Sequence, residues 1–153
     1  MNEANSESEH WMRLALEEAA QAAREEEVPI GAAAVLQGRL VVRDHNRSIQ
    51  LSDPTAHAEM LVLRRAAQQL SNYRLDGLDV YVTIEPCAMC AGALIWARVS
   101  RLVLGARDEK SGALFSKCSL LKPGLFNHQV ELVEGVLAGP CRGLLRDFFQ
   151  SRR

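Results

Sequence analysis

Apolar residues at Met12, Ala15, Leu16, Ala19 and Ala23 recur at helical spacing behind Ser8, a residue type that caps helices. They predict a helix over residues 8–27, stopped by Pro29. Two apolar stretches follow, 30–36 and 39–43. Gln37-Gly38 separates them, and together they predict a β-hairpin. Alanine and valine fill Gly31-Ala-Ala-Ala-Val35, so that strand is expected to pack closely on both faces. Residues 44–55 read as loop, and Asp53-Pro54-Thr55 is a start signal for a helix over 56–70. Asp76-Gly77 turns the chain into a strand over 79–83, and Pro86 opens a helix that reaches about residue 97. A strand over 101–105 leads into a long mixed-charge loop, 107–124, with one helical turn near 119–121. A strand-like piece over 129–134 and a helix from Pro140 to residue 149 complete the chain. The order is αββαβαβ(β)α. Strand–helix–strand units favour parallel pairing and the hairpin is antiparallel, so the expected class is α/β. The architecture is a three-layer α/β/α arrangement around a mixed five-stranded sheet.

A length of 153 residues suits one domain with a proper core and is short for two. Residues 1–153 are therefore expected to form a single domain. Residues 1–7 are expected to be disordered, and 140–153 to form a basic C-terminal helix. With 48% apolar residues, disorder elsewhere is not expected. No apolar run approaches the roughly 18 residues that span a bilayer, so no membrane partner is expected. The opening residues are acidic and polar and do not resemble a secretory signal; a cytoplasmic location is the expectation. The net charge of −1 conceals an asymmetry. Residues 1–27 carry eight acids and two arginines, whereas 28–153 carry 16 basic and 11 acidic residues. The final twelve residues hold Arg142, Arg146, Arg152 and Arg153 against Asp147 alone. Such a segment is either a solvated helix face with a ragged basic end or a footprint for phosphates.

The cysteines sharpen the picture. Cys87 and Cys90 lie one turn apart at the start of a predicted helix, where the dipole and unpaired amides favour the thiolate. On their own they suit metal binding and redox chemistry equally. His57 starts another helix and would complete a three-ligand zinc set with them. Three protein ligands leave a position for water, which distinguishes catalytic from structural zinc. Glu59, two residues on, is a candidate to move protons beside that water, first as base and then as acid.

His57-Ala-Glu59 followed by Pro86-Cys87-x-x-Cys90 resembles the signature of zinc nucleobase deaminases. The likeness widens to bacterial tRNA-specific adenosine deaminases. It is carried by Glu27-Val-Pro-Ile-Gly31, Asn46-Arg47, Asp53-Pro-Thr-Ala-His-Ala-Glu59, Asn72-Tyr-Arg74, Thr83-Ile-Glu-Pro-Cys-Ala-Met-Cys90, Gly105-Ala-Arg-Asp108 and Asp147-Phe-Phe149. The resemblance implies a cytidine deaminase-like fold, a homodimer with one Zn2+ per subunit, and a tRNA anticodon stem-loop as substrate. The implied reaction is hydrolytic conversion of the wobble adenosine to inosine. His57, Cys87 and Cys90 match the zinc ligands and Glu59 the proton shuttle. Asn46 and the Ala58 backbone match contacts to the base, and Asp108 a contact to the ribose. Phe149 matches a residue flanking the anticodon loop. The chain departs from the family pattern at Trp96, at 113–118 and at Ser119, around the substrate-flanking loop.

Two other readings compete. One is a deaminase of a free base or nucleotide such as guanine or cytosine. The other is a non-enzymatic zinc or redox module, which requires Cys118, Cys141, His45 or His128 to close the metal site, or a Cys87–Cys90 disulfide.

Overall fold

The computed structural model describes residues 3–152. The elements are α1 (Glu3–Arg24), β1 (Gly31–Leu36), β2 (Arg39–His45), α2 (Ala58–Leu70), β3 (Leu78–Ile84), α3 (Ala88–Ala97), β4 (Arg101–Ala106), β5 (Glu131–Val133) and α4 (Ala138–Gln150). The strands form one mixed sheet in the order β2-β1-β3-β4-β5. Strand β1 runs antiparallel to both β2 and β3, whereas β3, β4 and β5 are parallel. The β1–β2 hairpin closes on Gln37 and Gly38, both at positive φ, a two-residue turn whose twist matches the strands.

Side chains alternate across the sheet. Ala32, Ala34, Val80, Val82, Leu102 and Leu104 face α2 and α3. Ala33, Val35, Tyr81 and Val103 face α1 and α4. Helix α1 approaches the sheet very closely. A Cβ at Gly31 would collide with the backbone of Ala15 and Ala19, so glycine there seats the helix. That seat sets the buried stripe of α1 as Trp11, Met12, Ala15, Ala19 and Ala22. Leu16 and Ala23, expected in the stripe, are only half-buried.

Other expectations need correction. Helix α1 begins at Glu3, so residues 3–7 are helical rather than disordered; Met1 and Asn2 lie outside the described residues. It ends at Arg24, before Pro29, because Glu26 adopts the left-handed conformation. Asp53 does not cap α2. Its carboxylate accepts hydrogen bonds from the Thr55 amide and hydroxyl in a local turn, and His57 takes the N-cap position. Near 119–121 there is only a turn, closed by the Lys122 amide on the Ser119 carbonyl. Helix α4 starts at Ala138, two residues ahead of Pro140, which remains within the first turn where no backbone donor is needed.

These directions put the start of β1 and the ends of β2, β3 and β4 at one edge of the sheet. The segments around residues 25–30, 46–57, 85–87 and 107–118 therefore gather there. One of them is pinned by His45 at the end of β2, whose side chain is 2% exposed. Its Nδ1 lies 2.8 Å from Glu18 and its Nε2 2.9 Å from Glu25, with Asp44 at 3.8 Å. Arg43, Arg47 and Arg65 pair with the same carboxylates. Burial pushes the imidazole's pKa down, but its bonds to Glu18 and Glu25 outweigh that and raise it above 6.5. A raised histidine stabilises the fold fully below its unfolded value, and that contribution is lost as pH rises through the folded value. Urea unfolding should therefore show wild-type stability declining as pH rises from about 6 upward, and His45→Gln should flatten that decline.

Candidate active site

The candidate metal ligands come from two helix starts. His57 is the N-cap of α2 and Cys87 the N-cap of α3, both with extended backbone, and Cys90 lies in the first turn of α3. An N-cap residue directs its side chain back over the helix start, where free amides and the dipole favour negative charge. His57 Nδ1 lies 3.6 Å from Cys87 Sγ and 3.6 Å from Cys90 Sγ. Zinc bonds of about 2.3 Å to sulfur and about 2.0 Å to nitrogen in a tetrahedron separate N and S by about 3.5 Å. The histidine thus stands at a zinc-compatible distance from both sulfurs, and the three ligand atoms lie within 4.8 Å of one another.

Their protonation follows from the same closeness. The Cys90 thiol and then His57 stabilise the Cys87 thiolate, pulling its pKa down to about 3 against the effect of burial. The Cys87 sulfur and burial push Cys90 well above the usual thiol range. Its hydrogen bond to Cys87 raises His57 despite burial. Without metal, Cys87 is a thiolate, Cys90 keeps its proton, and His57 protonates more readily than a free imidazole.

Glu59, in the first turn of α2, is buried, and its Oε1 has no hydrogen-bond partner. Burial raises its pKa to about 7, although its own backbone amide and His57 oppose the shift. A carboxyl that is half ionised near neutrality is suited to accept a proton and return it.

His57, Glu59 and Cys87 open onto a cavity of about 280 Å³, which Asn46, Ala58 and Asp108 also line. The Asn46 amide is fixed: Nδ2 donates to Glu27 and Oδ1 accepts from the Ser48 hydroxyl. Asp108 folds its own loop, with Oδ1 accepting the amides of Lys110 and Ser111. Phe149 does not line this cavity. It is exposed near the end of α4, edge-on to the buried Phe148.

The ligands proposed to close a structural site lie elsewhere. His45 is held by Glu18 and Glu25, His128 by the Val99 carbonyl, and Cys118 is exposed. Cys141 packs against Gly105 on the α1/α4 side of the sheet. Cys87 and Cys90 are not disulfide-bonded. Among the cavity-wall residues given no site role from the sequence are two buried acids, Glu27 and Glu85. Glu27 accepts the amides of Ile49 and Gln50 as well as Asn46. Burial alone would raise Glu85, but hydrogen bonds from Ser116, Phe115 and Leu114 hold it at about 2. The one available signal was position: an acid ending an apolar strand directly before Pro86-Cys87.

Residues 6–153 match the family model of MafB19-like deaminases. The tRNA-specific adenosine deaminase of Agrobacterium fabrum is 44% identical over 148 residues, covering 97% of each chain. That of Haemophilus influenzae is 47% identical over 146 residues, 95% of this chain and 84% of the other. The chain belongs to the family of tRNA-specific adenosine deaminases. It is a deaminase by that membership, and the fold agrees. A solved structure from a study of A-to-I editing by tRNA:A34 deaminases is 44% identical with a TM-score of 0.86, covering 89% of this chain and 99% of that one. A guanine deaminase from Nitrosomonas europaea is 26% identical with a TM-score of 0.79, covering 92% and 83%. No helix among the described residues is long and apolar enough to cross a membrane.

Zinc must displace protons from Cys90 and His57, so the affinity of the metal-free protein should rise with pH, about tenfold per unit for each proton released. Competition titration with a chromophoric chelator measures this, and Cys90→Ala should abolish tight binding while leaving the other two ligands in place.

Proposed function

We propose that this chain deaminates the wobble adenosine of a tRNA anticodon loop to inosine as a zinc-dependent hydrolase. The observation that carries the reading is near-full-length identity with tRNA-specific adenosine deaminases, against a much lower identity to a guanine deaminase on the same fold. His57, Cys87 and Cys90 would hold one zinc, which supplies Lewis-acid activation of water, lowering its pKa towards ~7. Glu59 takes the proton of the attacking water and passes it to the purine as the C6–oxygen bond forms. It then carries the proton of the new C6 hydroxyl to the amino nitrogen, so that the carbonyl forms and ammonia leaves as the C6–N6 bond breaks. Asn46 presents its amide to the purine edge, and the Ala58 backbone faces the same base. The Asp108 carboxylate accepts a hydrogen bond from the ribose 2′-hydroxyl, a group absent from DNA. Phe149 and the arginines of the C-terminal segment flank the anticodon loop, where their charge meets phosphates.

The reading includes a homodimer. Helix α3 is apolar at every position; it buries Cys90, Ala91 and Leu94 and leaves Trp96 85% exposed. Ile95, Trp96 and Phe126 line one shallow groove on this face, and an outward apolar helix face of this kind suits a second copy of the chain. A cytoplasmic location accords with a tRNA substrate.

Incubation with an anticodon stem-loop followed by sequencing for inosine tests the substrate. Ammonia released from free guanine or cytosine, with no inosine in RNA, would replace this reading with the free-base one. Glu59→Gln should retain zinc and lose roughly 10²–10⁴-fold in kcat. Light scattering should show Trp96→Glu shifting the protein from dimer to monomer.

A further inference from the structure

The cavity wall formed by residues 108–116 is gripped by one side chain outside the proposed chemistry. Glu85 directly follows β3, is 3% exposed, and accepts five hydrogen bonds, all from this segment. Oε1 takes the Asp108 amide at 3.1 Å and the Ser116 hydroxyl. Oε2 takes the amides of Leu114, Phe115 and Ser116 at 3.0, 2.8 and 2.9 Å. Gly112 crosses so close above the carboxylate that a Cβ there would collide with both oxygens. The loop is therefore folded around the carboxylate. With both oxygens occupied, Glu85 has no lone oxygen to offer a substrate, unlike Glu59 with its unpartnered Oε1. The first amide that it holds belongs to Asp108, and both Asp108 and Ser111 line the cavity.

We infer that Glu85 is a positioning residue for the nucleotide: by gathering 108–116 around one carboxylate, it sets where Asp108 meets the ribose. The inference rests on the ribose role proposed for Asp108. It assigns Glu85 to substrate binding and sugar discrimination and not to proton transfer. The physical reason is preorganisation. A loop already held in its binding geometry loses less freedom when the nucleotide arrives. Glutamine at this position has the same length but turns an N–H2 group towards amide donors, so the loop cannot close around it.

The test uses full-length, zinc-loaded Glu85→Gln, with Gly112→Ala as a second variant that forces the same contact apart from the loop side. Three quantities are read: exchange protection of the Leu114, Phe115 and Ser116 amides, kinetics on the adenosine stem-loop, and kinetics on the same stem-loop with 2′-deoxyadenosine at the target. Protection should drop at least about tenfold. KM for the RNA should rise about tenfold with kcat within about threefold, and the preference for ribose should shrink, all at unchanged zinc content. Gly112→Ala should reproduce the pattern, and the double variant should be no worse than the poorer single one. Should Glu85→Gln fail to fold, Gly112→Ala decides by the same criteria. Retained protection overturns the anchor. Lost protection with unchanged KM and ribose preference overturns the positioning role, as does a fall in kcat at constant KM. A wild-type protein that makes no inosine overturns the substrate reading and the ribose role with it, while the exchange measurement still decides whether Glu85 anchors the loop.

Discussion

Two helix starts meet over one edge of the sheet, and the chemistry of the molecule depends on that meeting. The sheet reverses direction between β1 and β3 and runs parallel from β3 to β5, so α2 and α3 both begin at the same edge. Each helix contributes its N-cap side chain, His57 from one and Cys87 from the other. The free amides and aligned dipole at the start of α3 favour negative charge there, in keeping with a Cys87 thiolate held beside the protonated Cys90. Shifting either helix by one residue would withdraw a ligand. The close seating of α1 on Gly31 and the His45 network hold the opposite layer and the end of β2 in register with this edge.

Around the cavity, three buried glutamates show how surroundings assign roles to one side-chain type. Glu59 has an orphan oxygen, and burial leaves it poised near neutral pH. Glu85 is saturated with donors and remains an anion. Glu27 holds the Asn46 amide and the turn behind it. The side chains differ only in what they touch. A carboxylate with an unfilled acceptor can exchange protons, whereas one that is filled by backbone amides fixes a loop.

The candidate metal centre was legible in the sequence because its chemistry tolerates few residue types at short spacing. His57, Glu59, Cys87 and Cys90 stand in two brief motifs, and the structure brings them together as expected. The element order and the mixed sheet were legible from periodicity, and the Gln37-Gly38 turn from its residues. Glu27 and Glu85 were not legible as anchors, since their partners are mostly backbone amides some 20 to 30 residues away, and a backbone donor leaves no trace in a sequence. The rotation of the α1 stripe was hidden for a related reason: Gly31 determines it, and that residue lies on another element. Asp53 misled because a side chain that can cap a helix can equally close a local turn. Phe149, matched by resemblance to a residue flanking the anticodon loop and not to the base pocket, lies outside the cavity wall.

The gathering of all the cavity-forming segments at one sheet edge separates reactivity from selectivity. The residues proposed to activate water belong to helix starts fixed by the core, whereas those proposed to face the base and sugar lie largely on connecting loops. Lengthening, shortening or exchanging the 107–130 connection would redraw the mouth of the site without moving a metal ligand. A scaffold built this way can be readdressed to another nitrogen-bearing ring by loop replacement alone, in evolution as in the laboratory.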